Sequence, residues 1–72
     1  MDMAINYEKL LKIMEKHGES LHSLYRKGIL SDYAKRKITE GEPISLEYID
    51  RACQHFNVPI EDLVEIKLNS ED

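Results

Sequence analysis

Apolar residues recur at helical spacing in the first part of the chain. Residues 6–17 place four of them three or four positions apart, on one face of a helix: Tyr7, Leu10, Leu11 and Met14. Asn6 is a suitable N-cap, and Gly18 is a suitable helix stop. The pattern therefore predicts a first helix over residues 6–17.

Two shorter helical segments follow, separated by a tight turn. Ser20 can cap helix 2, which is about two turns long and is closed by Gly28. Ser31 can cap helix 3, over residues 32–38, which ends at a break containing glycine and proline. The sequence thus predicts two short helices joined by a turn.

The C-terminal half contains two more predicted helices. Ser45 can cap helix 4, over residues 46–56, where five apolar residues share a face: Leu46, Ile49, Ala52, Cys53 and Phe56. Pro59 suits the opening of helix 5, over residues 60–66, whose apolar positions are Leu63, Val64 and Ile66. The pattern contains no strand-like alternation, so we expect an all-α fold with five helices.

The length and composition favour one small folded domain. The chain has 72 residues, of which 42% are hydrophobic and 33% are charged, enough to build one core. We expect a single domain over residues 1–72, with an ordered core over about residues 5–67 and a short frayed tail.

The single cysteine and the N-terminal sequence bear on the compartment. Cys53 cannot form an internal disulfide, and small secreted domains usually need several. The sequence has no signal-peptide pattern and no apolar stretch long enough to cross a bilayer. We therefore expect a soluble, cytoplasmic protein without a membrane partner.

The charges are unevenly distributed along the chain. The formal net charge is -4. Residues 26–37 hold five cationic side chains against one carboxylate, a net charge of +4, whereas residues 38–72 hold two against nine, a net charge of -7. A basic band between acidic ends is either an electrostatic footprint for nucleic acid or an ordinary solvated face.

The order of these elements resembles the Cro and phage-repressor, or Xre-like, helix-turn-helix domains. The segments that carry the resemblance are residues 41–49 (GEPISLEYI) and residues 52–63 (ACQHFNVPIEDL), together with Tyr7, Leu10-Leu11 and residues 15–18 (EKHG). The resemblance covers nearly the whole chain and implies a compact lambda-repressor-like fold. It also implies a sequence-specific regulator of transcription that binds double-stranded DNA.

The resemblance implies particular DNA contacts. In this family helix 3 enters the major groove and the start of helix 2 touches phosphates. Carried over by position, the major-groove residues are Ser31, Asp32, Tyr33, Lys35, Arg36 and Lys37, and the phosphate contacts are Ser20 and His22. Arg36 and Lys37 can donate to guanine, whereas Asp32 could cap helix 3, accept from a cytosine amino group or disfavour DNA.

Two further expectations concern packing and assembly. The family usually places a small residue in helix 2 where this chain has Tyr25, so the ring should be at least partly buried and either turn outward or force the helices apart. A homodimer is expected because one short recognition helix buries little surface. Residues 60–66 with Leu68 are the candidate dimer surface.

Catalysis, a metal site and a cofactor site are not expected. Cys53 and His55 stand two positions apart on a helix and so do not share a face, and no second ligand pair completes a site. No glycine-rich phosphate loop, nucleophile–base pair or small-molecule site is evident. The competing hypothesis is a helical protein-interaction module of the same fold, such as a regulator partner, an antitoxin-like protein or a phage-encoded inhibitor.

Overall fold

The computed structural model describes residues 5–67, which form four α-helices, one turn of 3-10 helix and a two-stranded antiparallel sheet. The strands are β1 (Ile5–Asn6) and β2 (Glu65–Ile66), and the 3-10 turn is Ile60–Asp62. The α-helices are α1 (Glu8–Lys16), α2 (Leu21–Arg26), α3 (Asp32–Glu40) and α4 (Leu46–Phe56).

Serine caps begin three of the four helices, as the sequence predicts. Ser20 and Ser23 form a reciprocal capping box at the start of α2, with N···O distances of 2.9 and 3.1 Å. Ser31 accepts from the backbone N–H of Ala34 at 3.0 Å, and Ser45 caps α4. These side chains fix where α2 and α3 begin, so they also fix the turn between them.

The turn from α2 to α3 folds back onto the core. Gly28 adopts φ +80°, a left-handed conformation that favours glycine. The N–H of Ile29 then donates to the carbonyl of Leu24 at 2.9 Å, and Ile29 and Leu30 are both buried. The turn therefore packs apolar side chains between α2 and α3.

One hydrophobic core joins all four helices. Its buried members are Tyr7, Leu10, Met14, Leu24, Ile29, Leu30, Ala34, Ile38, Ala52, Phe56 and Leu63. The backbone N–H of Leu10 donates to the carbonyl of Leu63 at 3.1 Å, which attaches the last segment to α1. Tyr48 and Cys53 pack against this core while remaining partly exposed.

The prediction of a fifth helix is wrong. Residues 60–66 form the single 3-10 turn and then β2, in which Ile66 pairs with Ile5 and Glu65 pairs with Asn6. Leu63 is the only one of these seven residues that is fully buried, and Ile60 and Ile66 are exposed. A further helical turn would bury little apolar surface, whereas β2 satisfies the backbone groups of β1. Leu68 and the predicted frayed tail lie outside the described residues.

Smaller differences concern α1 and α3. α1 begins at Glu8, whose N–H donates to the Asn6 side chain at 2.7 Å, and Leu11 is exposed despite its place in the predicted apolar pattern. α3 continues two residues beyond the predicted end, to Glu40, and Gly41 at φ +74° is its C-cap. Within residues 5–67, none of the helices is long and apolar enough to cross a membrane.

Candidate nucleic-acid interface

The outer face of α3 is open to solvent. Ala34 and Ile38 point into the core, so the opposite side of the helix carries Asp32, Tyr33 and Arg36, all exposed. These three side chains stand at the beginning and middle of α3. The helix is thus oriented with a polar, partly cationic stripe facing outward.

An open groove of about 530 Å³ separates α3 from α1 and the start of α2. Five of the eight predicted contact residues line it, namely Ser20, His22, Asp32, Lys35 and Arg36. Its apolar floor comes from Leu11, Met14 and Leu21, and Thr39 completes the α3 side. The fold therefore brings the predicted phosphate contacts and three predicted major-groove residues to one concave surface.

Lys35 reaches across from α3 to α2. Its ammonium lies 3.7 Å from a carboxylate oxygen of Asp32 and 4.9 Å from the centre of the Tyr25 ring. Both contacts attract a cation, and Lys35 is partly buried. The Lys35 charge is therefore partly compensated by neighbouring groups, whereas Arg36, the next residue, is exposed.

The Tyr25 ring turns outward, which is one of the two outcomes expected for a bulky ring at this position. Its side chain is 42% exposed, and its ring centre lies 6.0 Å from that of His22. Leu24, the preceding residue, takes the buried position between the helices. Leu24 therefore joins α2 to the core, and position 25 does not need a small residue.

Three predicted contact residues do not line the groove. Lys37 and Tyr33 lie on the other flank of α3, where the Lys37 ammonium stands 5.3 Å from the centre of the Tyr33 ring. The Ser31 hydroxyl accepts the capping bond from Ala34. Ser31 is thereby committed to starting α3, while Tyr33 and Lys37 form a separate aromatic–cationic pair beside the outer stripe.

The Glu19 carboxylate lies beside the interface, and the sequence pattern did not identify it as part of the site. Glu19 accepts from the Lys27 ammonium at 2.6 Å, the Ser23 hydroxyl at 2.6 Å and the His55 ring nitrogen Nε2 at 2.9 Å. We call these four residues the Glu19 hub. These hydrogen bonds, led by that from Lys27, lower the pKa of Glu19 to about 2.

The Glu19 hub holds α2 against the rest of the domain. It joins the α1–α2 connection to the capping box and last turn of α2 and to the C-terminal end of α4, and the Glu19 side chain is only 10% exposed. The spacing of Glu19, Ser23 and Lys27 could have indicated one helix face, whereas His55 is 36 positions away in sequence.

The described residues offer little for metal or thiol chemistry. In the part of the chain from residue 5 to residue 67, no group of three His, Cys, Asp or Glu side chains is placed to hold a metal ion. Burial, with a smaller effect from the Asp50 and Glu61 carboxylates, raises the pKa of the Cys53 thiol. Cys53 therefore packs as a small apolar residue.

The chain shares its fold with the solved structure of the transcriptional regulator VanUg. The TM-score is 0.83 with 22% sequence identity, and the likeness covers 93% of this chain and 89% of that one. No protein-family model and no curated protein matches the sequence. The architecture is therefore that of a small, mostly helical domain.

Proposed function

We propose that this chain is a sequence-specific DNA-binding regulator of transcription, of the Cro and Xre-like type, that places α3 in the major groove. The observation that carries the proposal is the exposed stripe of Asp32, Tyr33 and Arg36 on α3, beside a groove that begins at the N-terminus of α2. This arrangement would let α3 contact base edges in the major groove while the start of α2 contacts the phosphate backbone.

The contacts on α3 differ in what they contribute. Arg36 is exposed and can donate two hydrogen bonds to guanine, and Tyr33 can pack against a thymine methyl group. Asp32 accepts hydrogen bonds, so it favours a cytosine amino group and repels phosphate. Ser20, His22 and Lys37 can each donate a hydrogen bond to a phosphate oxygen. Lys35 can do the same when Asp32 contacts a base instead of Lys35.

The electrostatic contribution is modest for a DNA-binding protein. Lys27 is paired with Glu19 and Lys35 is close to Asp32, which leaves Arg26, Arg36 and Lys37 of the basic band without a carboxylate within 4.0 Å in residues 5–67. Because Arg36 is assigned to a base edge, Arg26 and Lys37 would neutralise about two phosphates per protomer, and log K should fall with log salt at a slope of about -2.

A homodimer would supply the remaining affinity. Two protomers on adjacent half-sites, about 34 Å apart, double both the base contacts and the salt slope. Ile60 and Ile66 are exposed apolar side chains in the segment predicted to dimerise, which supports this part of the proposal.

The test is a fluorescence-anisotropy titration with duplex DNA selected from a random pool by the purified protein. The double variant Arg36→Glu/Lys37→Glu should weaken binding at least 100-fold, about 2.7 kcal/mol, and flatten the salt slope by about 1 per protomer, through the loss of Lys37. Lys12→Glu/Lys16→Glu makes the same change of charge on the far side of α1 and serves as the control. Equal losses in both variants, or affinity independent of salt, would contradict the proposal.

A second candidate function is a protein-interaction module of the same fold. The exposed rings of Tyr25 and Tyr33 favour it, because exposed aromatic side chains are common anchors in protein interfaces. If the α3 variant binds selected DNA as well as the wild type but loses a protein partner, this second function holds and the DNA-binding proposal fails.

A further inference from the structure

A second groove lies on the opposite flank of α1. Leu11 and Met14 face the candidate nucleic-acid groove beside α3. A different set of side chains lines a depression of about 400 Å³ between α1 and the segment after α4. We call it the α1 groove. Its lining residues are Lys9, Lys12, Ile13, Lys16, His17, Val58 and Asp62.

The lysines of the α1 groove are not neutralised by neighbours. Lys9, Lys12 and Lys16 are the only Lys or Arg residues among the first 25, and all three are exposed on this flank. Across residues 5–67, no carboxylate oxygen lies within 4.0 Å of any of their ammonium groups. The Lys9 ammonium donates to the carbonyl of Glu61 at 3.0 Å, which holds it at the rim.

The floor of the α1 groove is apolar. Ile13 and Val58 are partly buried and pack against the hydrophobic core, so they present a fixed surface. At one end the His17 ring packs against Phe56, with 5.2 Å between ring centres, and its Nδ1 donates to the carbonyl of Ile13 at 3.0 Å. Asp62 stands on the opposite wall. The groove thus combines an apolar floor with a cationic rim.

We propose that the α1 groove binds an acidic amphipathic segment of a partner protein. One apolar side chain of that segment would rest on Ile13 and Val58, and its carboxylates would pair with Lys12 and Lys16. From Lys12 to Lys16 the helix rises about 6 Å, which matches carboxylates about one turn apart on a partner helix.

The groove suits this occupant better than a nucleic acid. A sugar-phosphate backbone would gain from the lysines but would leave the apolar floor uncovered. The inference does not rest on the proposed DNA-binding function. Because the two grooves lie on opposite flanks of α1, both could be occupied together.

The test uses a fluorescein-labelled synthetic peptide of about 14 residues, four helical turns, with glutamates one turn apart and leucines on the neighbouring face. Its affinity for the full chain is measured by anisotropy at low and high salt. Lys12→Glu/Lys16→Glu should weaken binding at least 10-fold, whereas Arg36→Glu/Lys37→Glu should change it less than about 2-fold. Replacing the peptide's leucines with serine should also weaken binding, because the floor is then left uncovered.

Several results would overturn the inference. Unchanged affinity in Lys12→Glu/Lys16→Glu would do so, provided that circular dichroism shows the variant folded, as expected for exposed side chains without a carboxylate partner. A duplex of equal charge that displaces the peptide and loses affinity in the same variant would identify a nucleic-acid surface. A wild-type dimer in sedimentation that this variant dissociates would identify a second copy as the occupant.

Discussion

Replacing Leu24 with alanine should destabilise the domain strongly. Leu24 is 0% exposed and belongs to the core where α2 meets the rest of the fold. The substitution removes three buried carbon atoms and leaves a cavity. The backbone hydrogen bond from Ile29 to the Leu24 carbonyl remains available, and alanine is a good helix former. The loss therefore measures packing alone.

The expected loss is large compared with the stability of so small a domain. Leu-to-Ala changes at fully buried sites cost about 2.7 to 5 kcal/mol, whereas a chain of this length is stabilised by roughly 4 to 10 kcal/mol. For a urea m-value of about 1 kcal/mol/M, the midpoint of unfolding followed by circular dichroism should fall by about 3 M or more.

Leu46→Ala is the matched control. Leu46 is the first residue of α4 and is 72% exposed. Its substitution therefore removes the same three carbon atoms from the protein surface and not from the core. Its midpoint should move by no more than about 0.5 M, because exposed substitutions change stability by about 0.5 kcal/mol or less. Similar midpoints for Leu24→Ala and Leu46→Ala would refute the buried position assigned to Leu24 and, with it, the outward position of Tyr25.

Other predictions concern the hub, a cap and a turn. The low pKa of Glu19 stabilises the folded state above about pH 4.5 and ceases to do so as the pH falls toward 2, so Glu19→Gln should remove that part of the acid dependence of the urea midpoint. If the urea midpoint of Glu19→Gln falls as much as that of the wild type between pH 4.5 and about 2, the role of the Glu19 hub is contradicted. Ser31→Ala should cost about 1 kcal/mol in urea unfolding because the Ala34 N–H loses its partner, and Ser31→Thr should retain most of it. Gly41→Ala should cost about 1 kcal/mol because φ is +74°, and a stabilised variant would be inconsistent with that backbone.

The parts of the fold that local sequence determines were predictable. Periodic apolar residues and serine caps indicated α1 to α4, because capping and one-sided burial act over a few neighbouring positions. The sheet was missed because Ile5 and Ile66 pair across almost the whole chain. The alternation in so short a strand is also too brief to distinguish it from a helical turn.

The candidate site was predictable to a similar extent. The family resemblance selected residues of α2 and α3 that the fold does bring to one groove, but it could not distinguish Lys35, held by Asp32 and Tyr25, from the exposed Arg36. The outward turn of Tyr25 depends on Leu24 filling the core. The contact of Glu19 with His55 depends on how α4 packs, which no local pattern contains. The DNA contacts themselves stay predictions.

The pairing of Ile5 with Ile66 places the two ends of the described chain side by side. Neighbouring strands stand about 5 Å apart, so a linker of a few residues could connect these ends without straining either one. A circular permutant is therefore compatible with the fold. Its new termini could lie, for instance, in the exposed residues before α4. In any fusion, polypeptide attached at either end would leave from the same edge of the domain.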